Sequence, residues 1–218
     1  MNIFYSHRSA FTLAEVLITL VIIGIVAALT MPSLIGEYKK QETTARLKKF
    51  YSIIQQAILL SEIDNGPVEF WTKDAMARDE NGNFDQAANN IIAEEFFDKY
   101  LAKYMKIIKR GYTTENGRSL FQIYLSDGIS VIIGNGGCID MMVDTNGTKN
   151  PNFLGYDRFV FLLCPNKTPA LNTYDASLNK EQAIAKCETT PQYCSRVLQL
   201  NNWEFKDYIY PSVKIHMY

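Results

Sequence analysis

The sequence predicts an α+β fold: a long N-terminal helix packed on a small antiparallel β-sheet, with extra helices. Three observations predict it. Residues 11–29 read FTLAEVLITLVIIGIVAAL, nineteen positions with a single charge, Glu15. Beyond them Leu47, Phe50, Tyr51, Ile54, Ala57, Ile58 and Ser61 recur at three- and four-residue steps, the period of one helix face. From Leu120 the period shortens to that of strands, and Asp127-Gly128 supplies a two-residue hairpin signal.

In 218 residues, 22 Lys and Arg nearly balance 23 Asp and Glu, for a net charge of -1. That balance gives no bulk case for nucleic-acid binding. The average composition excludes a disordered chain, a collagen-like repeat and a polytopic membrane protein. The apolar residues are unevenly spread, however. As a helix, residues 11–29 span about 28 Å, close to the hydrocarbon thickness of a bilayer. The ten residues before them carry His7 and Arg8 and no acid, a basic flank that orients this end toward the cytoplasm.

Three readings compete for this segment: a buried core helix, a cleaved secretory signal and a permanent anchor. A core helix ill suits so pure an apolar run at the N-terminus. A secretory signal would have a shorter apolar region and a small-x-small cleavage site, which Ala27, Ala28 and Thr30 match only loosely. Glu15 decides between them. An acid costs about 2.5–3.5 kcal/mol at the centre of a membrane helix, less near its end, so it calls for a partner. His7 and Arg8 are seven or eight residues away. A cut before Phe11 would instead place a cationic α-amino group one helical turn from Glu15.

The run Ala10-Phe11-Thr12-Leu13-Ala14-Glu15-Val16-Leu17-Ile18 resembles the prepilin processing motif of type IV pilins and type II secretion pseudopilins. The resemblance implies a leader, residues 1–10, removed by a prepilin peptidase between Ala10 and Phe11. It implies N-methylation of Phe11 and an assembly role for Glu15, which in that family pairs with a neighbouring subunit's N-terminus. Pro32 stands where the family commonly kinks its long helix. Ala10 departs from the family's usual Gly before the cut, which bears on cleavage efficiency. The implied function is that of a structural subunit of a type IV pilus-like or pseudopilus filament. Its implied partners are other pilin copies, an inner-membrane platform protein and an assembly ATPase. Its implied location is the bacterial inner membrane, single-pass with an extracytoplasmic C-terminal domain, and the cell surface or periplasm after assembly. The alternative is a membrane-anchored binding or enzymatic domain that does not polymerise.

The helical pattern continues past Pro32 until Asp64-Asn65-Gly66-Pro67 ends it. The expected domains are therefore the leader 1–10, a long helix over 11–63 whose part 11–31 is the transmembrane and assembly segment, and a globular head over 64–218. A helix over 11–63 would be about 80 Å long, more than a compact domain of this size can bury. Lys39, Lys40, Arg46, Lys48 and Lys49 make its middle basic, either a solvated face or a contact for anionic lipid or an acidic partner. Residues 67–84 read as a loop anchored by Trp71 and Phe84. Helical spacing returns over 85–110, with Gly111 as the stop. Strands are expected over 120–125, 129–133, 138–143 and 158–163, short helices over 179–186 and 194–201, and a tail over 203–210.

Four cysteines, Cys138, Cys164, Cys187 and Cys194, contain no C-x-x-C pair, and the chain has two histidines, His7 and His216. Zinc is therefore disfavoured, and export makes disulfides the natural reading. A hairpin turning at Asn150-Pro151 would set Cys138 opposite Cys164, while Cys187 and Cys194 enclose a short loop; spacing favours this pairing among the three available. Asp140, Asp144, Asn146 and Asp157 surround the polar stretch between the middle strands, with Gly147 for a sharp turn. Such oxygen ligands suit Ca2+, and some pseudopilins carry calcium in a loop of their C-terminal domain. The competing reading is a hairpin loop whose Asp and Asn side chains cap backbone groups.

No G-x-S-x-G, Walker A, G-x-G-x-x-G or H-E-x-x-H motif occurs. Glu94 with Glu95, or Asp140 with Asp144, form acid pairs whose spacing alone specifies nothing. The sequence therefore reads as a structural subunit, not an enzyme, with no cofactor other than the candidate calcium.

Overall fold

A computed structural model describes residues 11–206; the leader with Ala10, and the part of the expected tail beyond Lys206, lie outside the described residues. The chain forms two compact units, Met1–Lys40 and Gln41–Tyr218. Helix α1 (Leu13–Asn65) is assigned without interruption and contains Pro32. Pro32 has no N–H to give the Ala28 carbonyl, so one rung of the helix is missing there. In the first unit the large apolar side chains from Phe11 to Ile35 are exposed. Among the described residues, α1 is the one helix long and apolar enough to cross a membrane, and none of its most apolar stretch is buried.

In the second unit α1 buries Leu47, Phe50, Ile54, Ala57 and Ile58, the stripe that the helical period marks out. Six antiparallel strands form one sheet in chain order. They are β1 (Ile107–Glu115), β2 (Arg118–Leu125), β3 (Ser130–Asn135), β4 (Ile139–Asp144), β5 (Arg158–Leu163) and β6 (Leu171–Thr173). Phe121 stands opposite Ile133, Ile133 opposite Met141, and Met141 opposite Phe161. Residues directly opposite share a face, so these four form one apolar row across the sheet. Two helices cover that row. Phe50 of α1 meets Phe161 with ring centroids 5.6 Å apart, and Phe97 of α2 (Gln86–Tyr100) meets Phe121 at 6.0 Å. Burying each such aromatic is worth about 1.5–3 kcal/mol.

Local signals set the helix ends. Asp85 caps α2, its side chain accepting from Ala88 N at 3.0 Å. Helix α3 (Lys180–Thr189) begins with a full capping box between Asn179 and Gln182. Helix α4 (Cys194–Leu200) follows one short 3-10 turn later. On the sheet's second face Arg158 joins Asp144 and Glu115, each at 2.8 Å.

The structure differs from the sequence expectation in three places. The helix expected over 85–110 ends at Tyr100, and Ile107–Glu115 is strand β1. Ile107, Ile108, Thr113 and Thr114 are β-branched, which suits a pleated strand better than a helix. Strand β6 lies in a stretch with no strand expectation and is only three residues long. Trp71 is buried and stacks on Tyr100 at 4.5 Å, whereas Phe84 has a 44% exposed side chain and ties the loop through its backbone, in a bridge to Arg78.

Candidate functional site

At the start of α1, Thr12 is the residue before the first helical turn and Glu15 is the third residue within it. Glu15 N donates to Thr12 Oγ1 at 3.2 Å, while Thr12 N and Thr12 Oγ1 both donate to Glu15 Oε2 at 2.8 Å. This is a reciprocal capping box. It satisfies two amide donors that helix ends leave without intrahelical partners. Glu15 is nonetheless on an exposed turn, beside Phe11, which is 86% exposed. Phe11, Glu15, Val16 and Thr19 line an open hollow. The carboxylate is thus held by Thr12 on the exposed surface of the helix.

Cys138 is bonded to Cys164, with Cα atoms 4.7 Å apart, and Cys187 to Cys194 at 4.8 Å. The first bridge follows from register. Ile139 pairs with Leu163, so the residues flanking that pair meet across the β4–β5 ladder. The second bridge ties the end of α3 to the start of α4.

The four oxygen-bearing residues of the calcium reading do not gather. Asp140 pairs with Gly134 and Leu162, whereas Asp144 pairs with Ser130 and Arg158. Four residues of strand separate them, about 13 Å. The other three do meet, and their oxygens hold the 145–157 loop. Asp157, 1% exposed, accepts from Asn152 N at 2.9 Å, Phe153 N at 2.7 Å and Asn146 Nδ2 at 3.0 Å. Asp144 accepts from Asn146 N and Arg158 Nε. Asn146 Oδ1 is buried there with no hydrogen-bond partner. No group of three His, Cys, Asp or Glu side chains suited to a metal occurs among the described residues.

Asp140 has a separate environment. Its Oδ2 lies 2.6 Å from where a Cβ on Gly136 would stand, so a larger residue there would push the carboxyl aside. The residue is exposed overall, yet its carboxyl is turned onto the β3–β4 turn. That shielding pushes it up to about 6, against the pull of Lys73.

Sequence reasoning missed one more group of contacts. Arg46 of α1 donates through Nη1 to the carbonyls of Asp127 at 3.1 Å and Thr145 at 3.0 Å, and its Nη2 pairs with Glu42 at 2.8 Å. Lys49 pairs with Asp127 at 2.8 Å. Two members of the basic stretch are thus spent on docking α1 to two loops.

Comparison with known proteins gives two matches. Residues 5–31 match the prokaryotic N-terminal methylation motif. Residues 33–212 match a family of unknown function (DUF6613). No curated protein and no solved structure matches the chain.

Proposed function

Since the chain belongs to the family of unknown function (DUF6613) and opens with the prepilin methylation motif of the type IV pilin and pseudopilin family, we propose that it is a filament subunit. A prepilin-type N-terminus marks a chain that a peptidase processes, that assembles with other pilins, and that is structural in character. The apolar helix behind it is consistent with a single-pass membrane anchor. The finer reading is cleavage between Ala10 and Phe11, methylation of the new Phe11 amine, and extraction from the inner membrane into a pilus-like or pseudopilus filament. A platform protein and a cytoplasmic ATPase would drive that extraction. The second unit then lies outside the cytoplasm, where both disulfides are stable.

One observation carries this reading. The first unit of α1 exposes its large apolar side chains together with the carboxylate of Glu15. Before assembly the bilayer would cover that surface, and afterwards other copies would. Glu15 would then meet the α-amino group of a neighbour's Phe11, an attraction strengthened by the low dielectric of a helix core.

Two measurements on the full chain in its native membrane test the proposal. Mass spectrometry of the mature protein is expected to find a methylated Phe11 at the N-terminus; an intact Met1, or a cut after Ala28, would sink it. Glu15→Leu is expected to abolish sedimentable filaments while the second unit still folds. Unchanged assembly by that variant would favour a tethered, non-polymerising domain.

A further inference from the structure

We infer that Lys73 and Asn135 join covalently, the lysine amine displacing ammonia from the asparagine side chain to leave an isopeptide bond inside the second unit. The inference does not depend on the filament reading.

The two residues are 62 apart in the chain, and the fold sets one on the other. Lys73 lies in the loop that follows α1, and Asn135 is the last residue of β3. Lys73 Nζ donates to Asn135 Oδ1 at 2.8 Å, so the amide carbon is one C=O bond beyond the contact. The carbonyls of Gly136 at 3.0 Å and Asp74 at 3.3 Å also accept from Nζ and hold it there. Asn135 is 2% exposed, and its Nδ2 donates to Asn89 Oδ1 at 2.9 Å and to Ala75 O at 3.4 Å. Amine and amide are thus fixed against each other, which replaces a bimolecular encounter with an intramolecular one.

A lysine attacks only as the free amine, so Nζ must first give up a proton. Asp140 of β4 is placed to take it. Its carboxyl lies against Gly136, the residue whose carbonyl holds Nζ. Burial lowers the Lys73 ammonium from its ordinary 10.5, against the opposing pull of Asp140 and Asp74, and shielding lifts Asp140 to about 6. Both shifts favour a neutral amine beside a neutral acid. Asp74, the other acid acting on Lys73, is exposed to solvent.

The step balances without an oxidant or a second substrate. Asp140 takes one proton from Nζ, and the freed lone pair forms a bond to Asn135 Cγ. A second Nζ proton passes to Nδ2, the Cγ–Nδ2 bond breaks, and ammonia leaves, taking up the Asp140 proton as ammonium. The Gly136 amide is the competing nucleophile for the same carbon. It is already engaged, donating to Cys138 O at 2.9 Å. The new bond would tie the loop after α1 to β3, beside the Cys138–Cys164 bridge that ties the start of β4 to the end of β5.

The full chain, purified from its membrane, is denatured, reduced and digested with trypsin. Peptides 50–78 and 119–149 are expected as one branched species, uncut after Lys73 and lighter by one ammonia than their sum. Lys73→Arg keeps a cation that can donate to the same carbonyls and is expected to give no joined species. Asp140→Asn is expected to slow joining by about a hundredfold, read as the joined fraction against time after synthesis. Joining at the unsubstituted rate in that variant would overturn the role of the carboxyl. Separate peptides of unaltered mass from the unsubstituted chain, cut after Lys73, would overturn the inference. Asn135 recovered as aspartate, with Lys73 free, would overturn it too, by showing that the Gly136 amide had attacked instead.

Discussion

Thr12 and Glu15 hold each other across the first turn of α1, the threonine hydroxyl accepting from Glu15 N at 3.2 Å and donating to its carboxylate at 2.8 Å. One side chain thereby serves two ends: it closes the helix and presents a charge. Substitutions can separate these. Glu15→Gln retains a capping-box residue without the charge, so hydrogen exchange of the first-turn amides is expected to stay slow while filament assembly is lost. Thr12→Val is expected to speed that exchange, at a cost of about 1 kcal/mol to the helix end. Equal effects of both variants on exchange would mean the box does not form.

Arg46 bridges α1 to two loops at once, through the carbonyls of Asp127 and Thr145. Arg46→Met is expected to destabilise the second unit by about 1–3 kcal/mol, the cost of leaving part-buried acceptors unpaired. Arg46→Lys keeps the charge but not the planar fork and should recover less than half of that loss. Urea denaturation of the full chain in detergent, followed by tryptophan fluorescence, measures both.

The 145–157 loop is expected to hold without calcium, because the Asp144 and Asp157 oxygens already accept from Arg158 and from the loop's own amides. A chelator should leave Tm unchanged, and saturating Ca2+ should not raise it. A rise of several degrees would show that Asn146 Oδ1, the unpaired oxygen there, recruits an ion. Asp157→Ala, by contrast, is expected to cost about 3 kcal/mol or more, since it strands two backbone donors and an amide.

Asp140 predicts a pH dependence. Its carboxyl is raised from an ordinary 3.8 to about 6 in the folded chain, so between those values the folded state binds more protons than the unfolded one. Stability should therefore fall as pH rises from about 4 to 6. Asp140→Asn should flatten that portion of the curve, as read by denaturation at several pH values. An unchanged slope in the variant would assign the effect to another group.

Which elements were legible in the sequence follows from how local their causes are. The α1 stripe and the Asp127-Gly128 hairpin are each written in residues close together in the chain. Strand β1 was not legible, because Met105 and Ile108 continue the helical spacing of α2 by coincidence while the β-branched residues around them pull the backbone into the sheet. Strand β6 has three residues, too few to display a period. At the N-terminus the motif marks Phe11 and Glu15, and Thr12-x-x-Glu15 within it is at the same time a capping signature. Arg46 lies 81 and 99 residues from the two carbonyls it holds, and no local pattern encodes such a contact.

The continuity of α1 has a mechanical consequence. The same helix that begins at Leu13 buries Leu47, Phe50, Ile54, Ala57 and Ile58 in the second unit. A pull along its axis is therefore a shear on all five side chains together, with Arg46 and Lys49 as lateral pins. Bonds loaded in parallel share a force that would break them one by one if peeled. Tension reaching α1 within the second unit would therefore be carried straight into the core by the helix itself, without passing through any loop.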